Sequence, residues 1–384
     1  MQSLIDPLFI ELTNHCNFQC AFCPDDIMKR ERGYMDFALI EKIFCDIKKS
    51  NLVSYVIPSL MGEPLLHPRF FEFLNLAKKN NIKTHLITNG SLLSSDEKIE
   101  KLFSSNLWEL VLSYQIPQEN LFYMRRAGNL DWDTYRKIMI NIISKKFEKR
   151  ANTVIEIHLL DTIDHSVRGM NFISNPEEML TVINEWKPIA EKIAKKFPLK
   201  SKIYEYPLAE IKKRIKNNIE YMTKFEILPE VYLVLKKVVL YGNYLVPEGV
   251  SVREKSKGEC FAPFKSLAIL WNGDCTFCCQ DFDGELVVGN IRENSLEEIW
   301  YGEKLNKIRK EMKRYILSNK FCQRCYGDYY DIHGNRIDLV KKKSLYLKLN
   351  HSCLKILKVY QEDGLKGIFS KVIQKVSRNK KLYE

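Results

Sequence analysis

Short apolar runs alternate with longer amphipathic segments along the first 160 residues. Strands are predicted over residues 8–12, 53–60, 84–87, 109–114 and 154–160. Helices are predicted over residues 37–48 and 68–79, where apolar residues recur at helical spacing. This alternation is typical of a parallel α/β fold, in which functional side chains gather where strands hand over to loops. The pattern leaves the position of a sixth strand open.

Over residues 165–250 the pattern becomes predominantly helical, and we predict a helical insert there. Asn175 and Pro176 form a helix start, with the asparagine as N-cap, and the amphipathic helix is expected to reach about residue 197. More helix is predicted between residues 208 and 240. The insert departs from a minimal barrel and is expected to cover the substrate.

The loop after the first predicted strand contains three closely spaced cysteines, Cys16, Cys20 and Cys23. Iron–sulfur clusters are held by cysteine thiolates at short, fixed spacings. A four-iron cluster has four ligand positions, so three cysteines leave one iron open to a substrate or cofactor. The alternative, a zinc knuckle, needs a fourth Cys or His at short spacing, and His15 adjoins Cys16 too closely to share its metal. The spacing therefore favours an iron–sulfur cluster.

The segment from Glu11 to Pro24, with Phe22 directly before the last cysteine, resembles the signature of the radical S-adenosylmethionine (SAM) superfamily. The resemblance implies a partial (β/α)6 TIM-like barrel with the cysteine loop at the end of its first strand. It also implies a [4Fe-4S] cluster whose open iron binds the amino and carboxylate groups of SAM, with Phe22 among the cofactor-binding residues. Reductive cleavage of SAM then gives a 5′-deoxyadenosyl radical, which removes a hydrogen atom from the substrate.

The turn Met61-Gly62-Glu63-Pro64, after the second predicted strand, resembles the Gly-Gly-Glu-Pro turn that holds the SAM amino group in this superfamily. Met61 stands where the first glycine is often found. Gly62 permits close backbone approach, and Pro64 stiffens the turn. Ser113, at the end of the fourth predicted strand, matches a position near the SAM ribose or carboxylate. The turn and Ser113 are therefore predicted to bind the cofactor.

A second set of cysteines lies in the C-terminal third of the chain. Asn272-Gly273 between apolar runs predicts a β-hairpin, which returns the chain to the neighbourhood of Cys260. A helix predicted over residues 296–316 separates this hairpin from the last cysteine pair. The arrangement resembles the SPASM/twitch extension of one branch of radical SAM enzymes, in its single-cluster form. The resemblance implies one auxiliary [4Fe-4S] cluster with these ligands: Cys260, Cys278, Cys322 and Cys325.

Cys278 is preferred over its neighbour Cys279 as the second ligand, because adjacent cysteines do not readily serve one cluster together. Four cysteines also suit a structural zinc ion, which stays the alternative for this set. If the reaction is an epimerisation, Cys275 and Cys279 are candidate hydrogen donors. If it is an oxidation, Asp281 is the candidate base, and a simple surface role for it stays open. Arg125 and Arg126 are candidates to neutralise an acidic group on SAM or substrate, and a solvated helix start is the alternative for both.

Length and composition fit an enzyme. The chain has 384 residues, 45% of them hydrophobic, which is ordinary for a globular protein of two domains or a barrel with an appendage. It begins without a secretory leader, and its apolar runs fall short of the ~20 residues that span a membrane. Its eleven cysteines are therefore interpreted as metal ligands in a reducing cytoplasm.

The net charge of +12 is concentrated at the C-terminus. Residues 341–384 contain twelve Lys or Arg and three acidic residues, a balance of +9, which leaves +3 for the rest of the chain. Apolar residues recur at helical spacing in this basic tail. Such a segment suits an anionic membrane surface, such as the inner membrane face, or docking on the enzyme body. Contact with nucleic acid is the least favoured interpretation.

These observations predict a radical SAM barrel over residues 1–250, a SPASM/twitch domain over 256–330 and a basic helical tail over 340–384. The predicted function is an oxidoreductase or epimerase acting on a sugar or other small hydroxylated metabolite, lipid-linked sugars included. Flavodoxin or ferredoxin is the expected electron donor. Two alternatives stay open: a maturase of a ribosomally made peptide, and a non-catalytic iron–sulfur or zinc protein.

Overall fold

The structure is a computed structural model that describes residues 4–105, 107–197, 199, 204–217 and 222–338. The chain divides into two units, Met1–Leu339 and Val340–Glu384, and the described residues belong to the first. The predicted basic tail lies outside the described residues. In the part of the chain that is described, no helix is long and apolar enough to cross a membrane.

The strands and helices follow one another along the chain as the alternating pattern predicts. The described strands are β1 (Leu8–Ile10), β2 (Val56–Ile57), β3 (Thr84–Thr88), β4 (Leu107–Gln115), β5 (Val154–Asp161), β6 (Met222–Leu228), β7 (Val231–Lys237), β8 (Ser251–Arg253), β9 (Leu267–Ile269), β10 (Asp274–Thr276), β11 (Val287–Asn290), β12 (Asp328–Tyr330) and β13 (Arg336–Ile337). The described α-helices are α1 (Phe37–Ser50), α2 (Phe70–Lys79), α3 (Asp96–Phe103), α4 (Trp132–Glu148), α5 (Pro176–Lys196), α6 (Leu208–Asn217), α7 (Ala262–Lys265), α8 (Leu296–Trp300), α9 (Glu303–Lys313) and α10 (Lys320–Cys325). Short 3-10 helices lie at Pro24–Asp26, Pro64–Leu66 and Glu119–Arg125.

One large sheet organises the molecule, in the order β11-β10-β9-β1-β2-β3-β4-β5-β7-β6. Strands β1 to β5 and β7 are parallel, and β6 is the antiparallel edge strand. Strand β9 pairs in parallel with β1, with Leu8 opposite Leu267. The six parallel strands with their helices confirm the predicted partial TIM-like barrel. The C-terminal hairpin continues the same sheet.

Helices cover one face of the barrel strands and form the main hydrophobic core with them. Leu110 and Leu112 of β4, Ile155 of β5 and Ile142 of α4 are all fully buried in this core. Helix α1 contributes an apolar face of the same kind to this core. Its N-cap is Asp36, whose side chain accepts a hydrogen bond from Ala38 N at 3.1 Å. The helix-packed face therefore carries the apolar residues and leaves the other face to polar ones.

The prediction for residues 165–250 is only partly correct. Helix α5 begins after its N-cap Asn175 as expected, and α6 follows, but the helix predicted to continue to residue 240 is wrong. Strands β6 and β7 form an antiparallel hairpin there, and β7 is the sixth parallel strand. The segment alternates apolar and polar residues and turns at Pro229 and Glu230, the latter with φ of 57°. Period-two alternation outweighs helix propensity here because it buries one strand face.

The predicted hairpin at Asn272-Gly273 is confirmed. Strands β9 and β10 pair antiparallel around it, and Gly273 has φ of 98°, which a residue with a side chain rarely adopts. The single helix predicted over residues 296–316 is instead two helices, α8 and α9. The break falls at Gly302, where a Cβ would lie 2.6 Å from the Glu298 carbonyl oxygen.

Candidate cofactor site

The loop that follows β1 brings Cys16, Cys20 and Cys23 together. Each thiol lies within electrostatic reach of at least one of the others, and Cys23 is influenced by both. The loop is shaped by its own backbone: Cys23 N donates to Cys20 O at 3.0 Å, and Phe18 N donates to Cys16 Sγ at 3.4 Å. The sequence spacing therefore becomes a spatial cluster of three sulfurs.

Burial makes these thiols poor acids in the absence of a metal. It raises the pKa of Cys16 to about 12 and raises the pKa of Cys20 and Cys23 as well. Thiolates are the form that binds metals, so metal binding here must displace protons. Among the described residues, no three His, Cys, Asp or Glu side chains are arranged around a single metal ion. In a cubane each thiolate binds a different iron, so the sulfurs need not converge on one point.

A buried arginine stands behind the cysteine loop. The Arg125 guanidinium is 2% exposed and donates from Nη1 to the carbonyl oxygens of Ser113 (2.7 Å) and Tyr114 (2.9 Å). It lies 4.9 Å from the ring centre of Phe18, and its charge and hydrogen bond oppose the burial-driven rise in the pKa of Cys20. Nε of Arg125 has no hydrogen-bond partner in the described structure. A positive charge with spare donor capacity thus faces the cysteine loop.

The turn Met61-Gly62-Glu63-Pro64 packs directly on this loop. Gly62 has φ of 75°, and a Cβ there would lie 2.6 Å from the carbonyl oxygens of both Thr13 and His15. Glu63 N donates to His15 O at 2.8 Å. Glycine is required at position 62 because neither the dihedral angle nor the space admits a side chain. The predicted cofactor-binding turn therefore lies beside the predicted cluster ligands.

The Glu63 carboxylate fixes the turn to the end of β3. It accepts hydrogen bonds from Thr88 Oγ1 (2.6 Å), Asn89 N (2.7 Å) and Leu65 N (3.1 Å). Burial raises its pKa to about 6 against the effect of these bonds. Both oxygens are occupied, so this side chain positions the turn and leaves its backbone to face a ligand.

The other two predicted cofactor-binding residues lie at the same edge of the sheet. Ser113 is near the end of β4, and its carbonyl oxygen is held by Arg125. Phe22 packs edge-on against Phe172 at 5.4 Å, in a small apolar cluster with Leu160. The structure thus brings together the cysteine loop, the turn and the strand ends that the sequence singled out.

A second group of thiols gathers in the C-terminal part. Cys278 is influenced by Cys260 and Cys325, and Cys322 by the same two. Two asparagines order the backbone around them. Asn319 caps α10 and accepts from Cys322 N at 2.7 Å, and Asn243 Nδ2 donates to the carbonyl oxygens of Arg324 (2.8 Å) and Cys325 (3.0 Å). Cys279 also lies within electrostatic reach of Cys278 and Cys325, so five thiols gather here, and four of them suffice for a cluster fully ligated by protein.

The three predicted catalytic residues have different surroundings. Cys279 is accessible to solvent and lies within electrostatic reach of Lys236 and Cys260. Cys275 is fully buried in β10, where its Sγ faces the Gly273 carbonyl oxygen at 3.6 Å, and the structure does not bring it to the cysteine group.

Asp281 is also fully buried, and it accepts from Thr276 Oγ1 (2.7 Å), Glu285 N (2.8 Å) and Leu286 N (2.9 Å). Burial raises its pKa, and these bonds oppose the rise. The Asp281 carboxylate therefore orders the loop that surrounds it.

Tyr241 lies between the two cysteine groups. Its hydroxyl is within electrostatic reach of Cys20 and Cys23 on one side and of Cys279 on the other, and burial raises its pKa well above the usual range. Tyr241 follows β7, the strand whose position the sequence left open. Tyr241 is therefore close to members of both groups of thiols.

Comparison with known families agrees with this geometry. Residues 10–168 match the model of the radical SAM superfamily, and residues 260–326 match SPASM, an iron–sulfur cluster-binding domain. The chain is a radical SAM protein with a SPASM domain. The radical SAM domain implies a [4Fe-4S] cluster and SAM, and the SPASM domain implies auxiliary iron–sulfur binding. The arrangement of the cysteines fits both, because each group supplies several thiols within electrostatic reach of one another.

Relatives of this radical SAM protein differ in their reactions. It is 24% identical over 334 residues to the tungsten-containing aldehyde ferredoxin oxidoreductase cofactor-modifying protein of Pyrococcus furiosus, which covers 83% of this chain and 86% of the relative. It is 18% identical over 329 residues to the S-adenosyl-L-methionine-dependent 2-deoxy-scyllo-inosamine dehydrogenase of Niallia circulans, with 85% and 94% covered. Streptococcus suis SuiB bound to S-adenosylmethionine shares the fold, with a TM-score of 0.53 at 19% identity, covering 80% of this chain and 68% of that one.

Several candidate functional residues of this radical SAM protein were given no role by the sequence motifs. Glu11 is fully buried and pairs with Arg30 through two bonds of 2.5 Å, while Arg30 Nε donates to Phe282 O at 2.7 Å. Lys236 and Tyr241 come from the segment that was predicted as helix. Only a correct prediction of strand β7, from its alternating apolar and polar residues, would have placed these two residues near the cysteines.

We expect Gly62→Ala to weaken SAM binding by at least about tenfold, because the new methyl group meets two carbonyl oxygens and the residue must keep a positive φ at a cost of roughly 1–2 kcal/mol. Gly128→Ala is the matched control, since Gly128 also has a positive φ (63°) but no atom within 4 Å of a built Cβ. SAM affinity is measured by calorimetry on the anaerobically reconstituted proteins. Equal affinity in the two variants would mean that the turn does not form part of the SAM site.

Proposed function

We propose that this radical SAM protein is an oxidoreductase that removes hydrogen from a small hydroxylated metabolite, such as a sugar, and passes the second electron to an auxiliary cluster. The observation that carries the proposal is the position of Tyr241, within electrostatic reach of both Cys20/Cys23 and Cys279. A substrate in that space would meet both groups of thiols. The dehydrogenase of Niallia circulans, whose name specifies 2-deoxy-scyllo-inosamine, supports a substrate of this kind.

The ligand assignment follows the two groups of thiols. Cys16, Cys20 and Cys23 hold the cluster that leaves one iron for SAM. The auxiliary cluster has these ligands: Cys260, Cys278, Cys322 and Cys325. When bound, the first cluster and SAM supply the electron and the 5′-deoxyadenosyl radical that abstracts hydrogen, and the auxiliary cluster supplies an electron acceptor.

The residues of the chain orient these groups and exclude water. The backbone of the Gly62 turn is held open toward a ligand by Glu63, and the Arg125 guanidinium has a free Nε to offer an acidic group. Phe22 and Phe172 cap the cysteine loop with apolar surface. A dry site of this kind protects a reactive radical from side reactions.

Cys279 supports a second candidate, a redox-neutral epimerisation. The Cys279 thiol lies within electrostatic reach of Lys236, whereas Cys275 is enclosed in the hairpin. In such a reaction the Cys279 thiol returns a hydrogen atom to the substrate radical and becomes a thiyl radical, which an electron and a proton from the reducing system restore. Oxidation instead needs a proton acceptor, and the hydrogen-bonded Asp281 is less suited to that role than its sequence position indicated.

Anaerobic assays with dithionite, SAM and a panel of sugars and aminocyclitols test the proposal. Oxidation predicts 5′-deoxyadenosine together with a product that has lost two hydrogen atoms. Epimerisation predicts a product of unchanged mass that takes up one deuterium in D2O, and Cys279→Ala would still form 5′-deoxyadenosine but not the epimer. Substrate-dependent turnover seen only with a peptide would contradict the proposal and favour a maturase. Flavodoxin or ferredoxin as donor, and membrane contact by the tail, remain predictions.

A further inference from the structure

Strand β7 presents its side chains alternately to two sides of the sheet. Leu233 and Leu235 join the main core under the helices, so Lys236 points to the opposite, inner side. On the neighbouring strand β5, Glu156 and His158 follow the same alternation, while Ile155 and Ile157 belong to the core. The inner side of these two strands therefore carries charged and polar groups together with the buried apolar residues Leu160 and Val234.

The Glu156 carboxylate on this inner side is already compensated. His158 Nε2 lies 2.8 Å from Glu156 Oε2, and the Lys224 ammonium of β6 pairs with the other oxygen. Burial opposes ionisation of Glu156, but these two bonds outweigh it and lower its pKa to about 2. Burial lowers the pKa of His158 to about 4, so its ring is neutral at neutral pH. The local charge of Glu156 and Lys224 sums to zero.

Lys236 is the uncompensated charge on this side. None of the ion pairs among the described residues involves Lys236, whose side chain is half-buried. It is enclosed enough for burial to lower its pKa, and its electrostatic neighbours are Cys279 and, at longer range, Glu156. A half-buried ammonium without an ion-pair partner can be neutralised by an anionic ligand that occupies the same space.

Lys236 lies near the space between the two groups of thiols. Tyr241, five residues further along the chain, is within electrostatic reach of Cys279, as Lys236 is, and also of Cys20 and Cys23. A molecule between the cysteine groups would thus have the Lys236 ammonium beside it. The Glu156–His158 pair lies further along the same inner side of the sheet.

We propose that Lys236 binds an anionic group, a carboxylate or a phosphate, on the substrate. This inference rests on the proposed function, because it takes the space between the cysteine groups as the place where substrate is held. It narrows the substrate class from hydroxylated metabolites in general to hydroxylated acids or phosphate esters. The His158–Glu156 pair is then suited to hydrogen-bond a hydroxyl group of the same molecule.

Binding of D-glucuronate and D-glucose 6-phosphate, with D-glucose as the neutral member, tests the assignment on the anaerobically reconstituted protein with SAM. Calorimetry at constant ionic strength is expected to show tighter binding of at least one anion than of glucose. Lys236→Met should weaken that binding by about 10- to 100-fold, the range expected for one charge-assisted hydrogen bond, and Lys236→Arg should retain most of it. The two anions distinguish a carboxylate site from a phosphate site.

Lys237→Met is the matched control, because Lys237 is the next residue of the same strand and pairs with Asp164. It should bind the anions as the wild type does. The inference is overturned if neither anion is preferred over glucose, or if Lys236→Met keeps the preference and alters only the EPR signal of the auxiliary cluster. Formation of 5′-deoxyadenosine with the panel of sugars and aminocyclitols, measured on the same preparations, distinguishes failure of the proposed function from failure of the Lys236 assignment. Its absence in the wild type with every compound contradicts the proposed function, whereas its presence without anion preference overturns only the role of Lys236.

Discussion

Replacing Cys16, Cys20 and Cys23 together by alanine is expected to abolish SAM cleavage and to remove half of the bound iron. The three thiols are the ligands proposed for the cluster that binds SAM, and the loop holding them contains no spare cysteine. Anaerobic reconstitution should give about eight irons in the wild type and about four in the variant, if each group of thiols holds one four-iron cluster. Iron and sulfide analysis, EPR with and without SAM, and 5′-deoxyadenosine formation measure the effect.

Cys45→Ala is the control for this variant, because Cys45 is exposed on α1 and belongs to neither group of thiols. It should keep the full iron content and SAM-dependent changes in the EPR signal. A triple variant that still cleaves SAM would contradict the ligand assignment. About four irons in the wild type and none in the variant would leave the first cluster in place and make the C-terminal group a zinc site or an empty one. Oxidation would then lack its proposed electron acceptor.

Removing Arg30 is expected to lower the free energy of unfolding by about 3–5 kcal/mol, the usual cost of breaking one side of a buried ion pair. Arg30→Ala leaves the fully buried Glu11 carboxylate without its bidentate partner. The same carboxylate accepts hydrogen bonds from Met61 N (3.1 Å) and Trp271 N (3.3 Å), so the loss reaches both the Gly62 turn and the C-terminal hairpin. Anaerobic urea unfolding measures the change, and calorimetry should show weaker SAM binding in the same variant.

Lys101→Ala provides the comparison for Arg30→Ala. Lys101 pairs with Glu97 at 2.7 Å on the surface of α3, and such exposed pairs contribute about 0–1 kcal/mol. If Arg30→Ala cost no more than this control, Glu11 would not depend on Arg30, and the link between the turn and the hairpin would be carried by other contacts.

Local patterns in the sequence predicted the parts of the site that depend on neighbouring residues. The spacing of Cys16, Cys20 and Cys23, the glycine at position 62 and the hairpin at Asn272-Gly273 all act through short-range geometry, and the structure places them as expected. The helix predicted up to residue 240 was wrong because a short apolar run fits helix and strand periodicity alike.

Contacts between distant residues could not be predicted in the same way. Lys236 comes within electrostatic reach of Cys279 only because the chain folds β7 into the sheet beside β5, and Arg30 bonds Phe282 across 252 residues of chain. Asp281 was singled out by its place beside two cysteines. The hydrogen bonds that occupy its carboxylate come from Thr276 of β10 and from the loop that follows, and sequence adjacency does not reveal them.

The pairing of β1 with β9 has a consequence for how the chain is made. Until residues 267–269 have left the ribosome, β1 has a neighbour on one side only, and its other edge offers free backbone groups to any other chain. The cysteine loop follows directly from this incomplete strand. Iron delivered early would therefore reach a cysteine loop whose preceding strand has only one neighbour. Iron delivered after synthesis of the hairpin reaches a loop whose preceding strand is paired on both sides. Cluster insertion in this protein should come late, after release of the chain, and chaperones that mask strand edges should matter most before then.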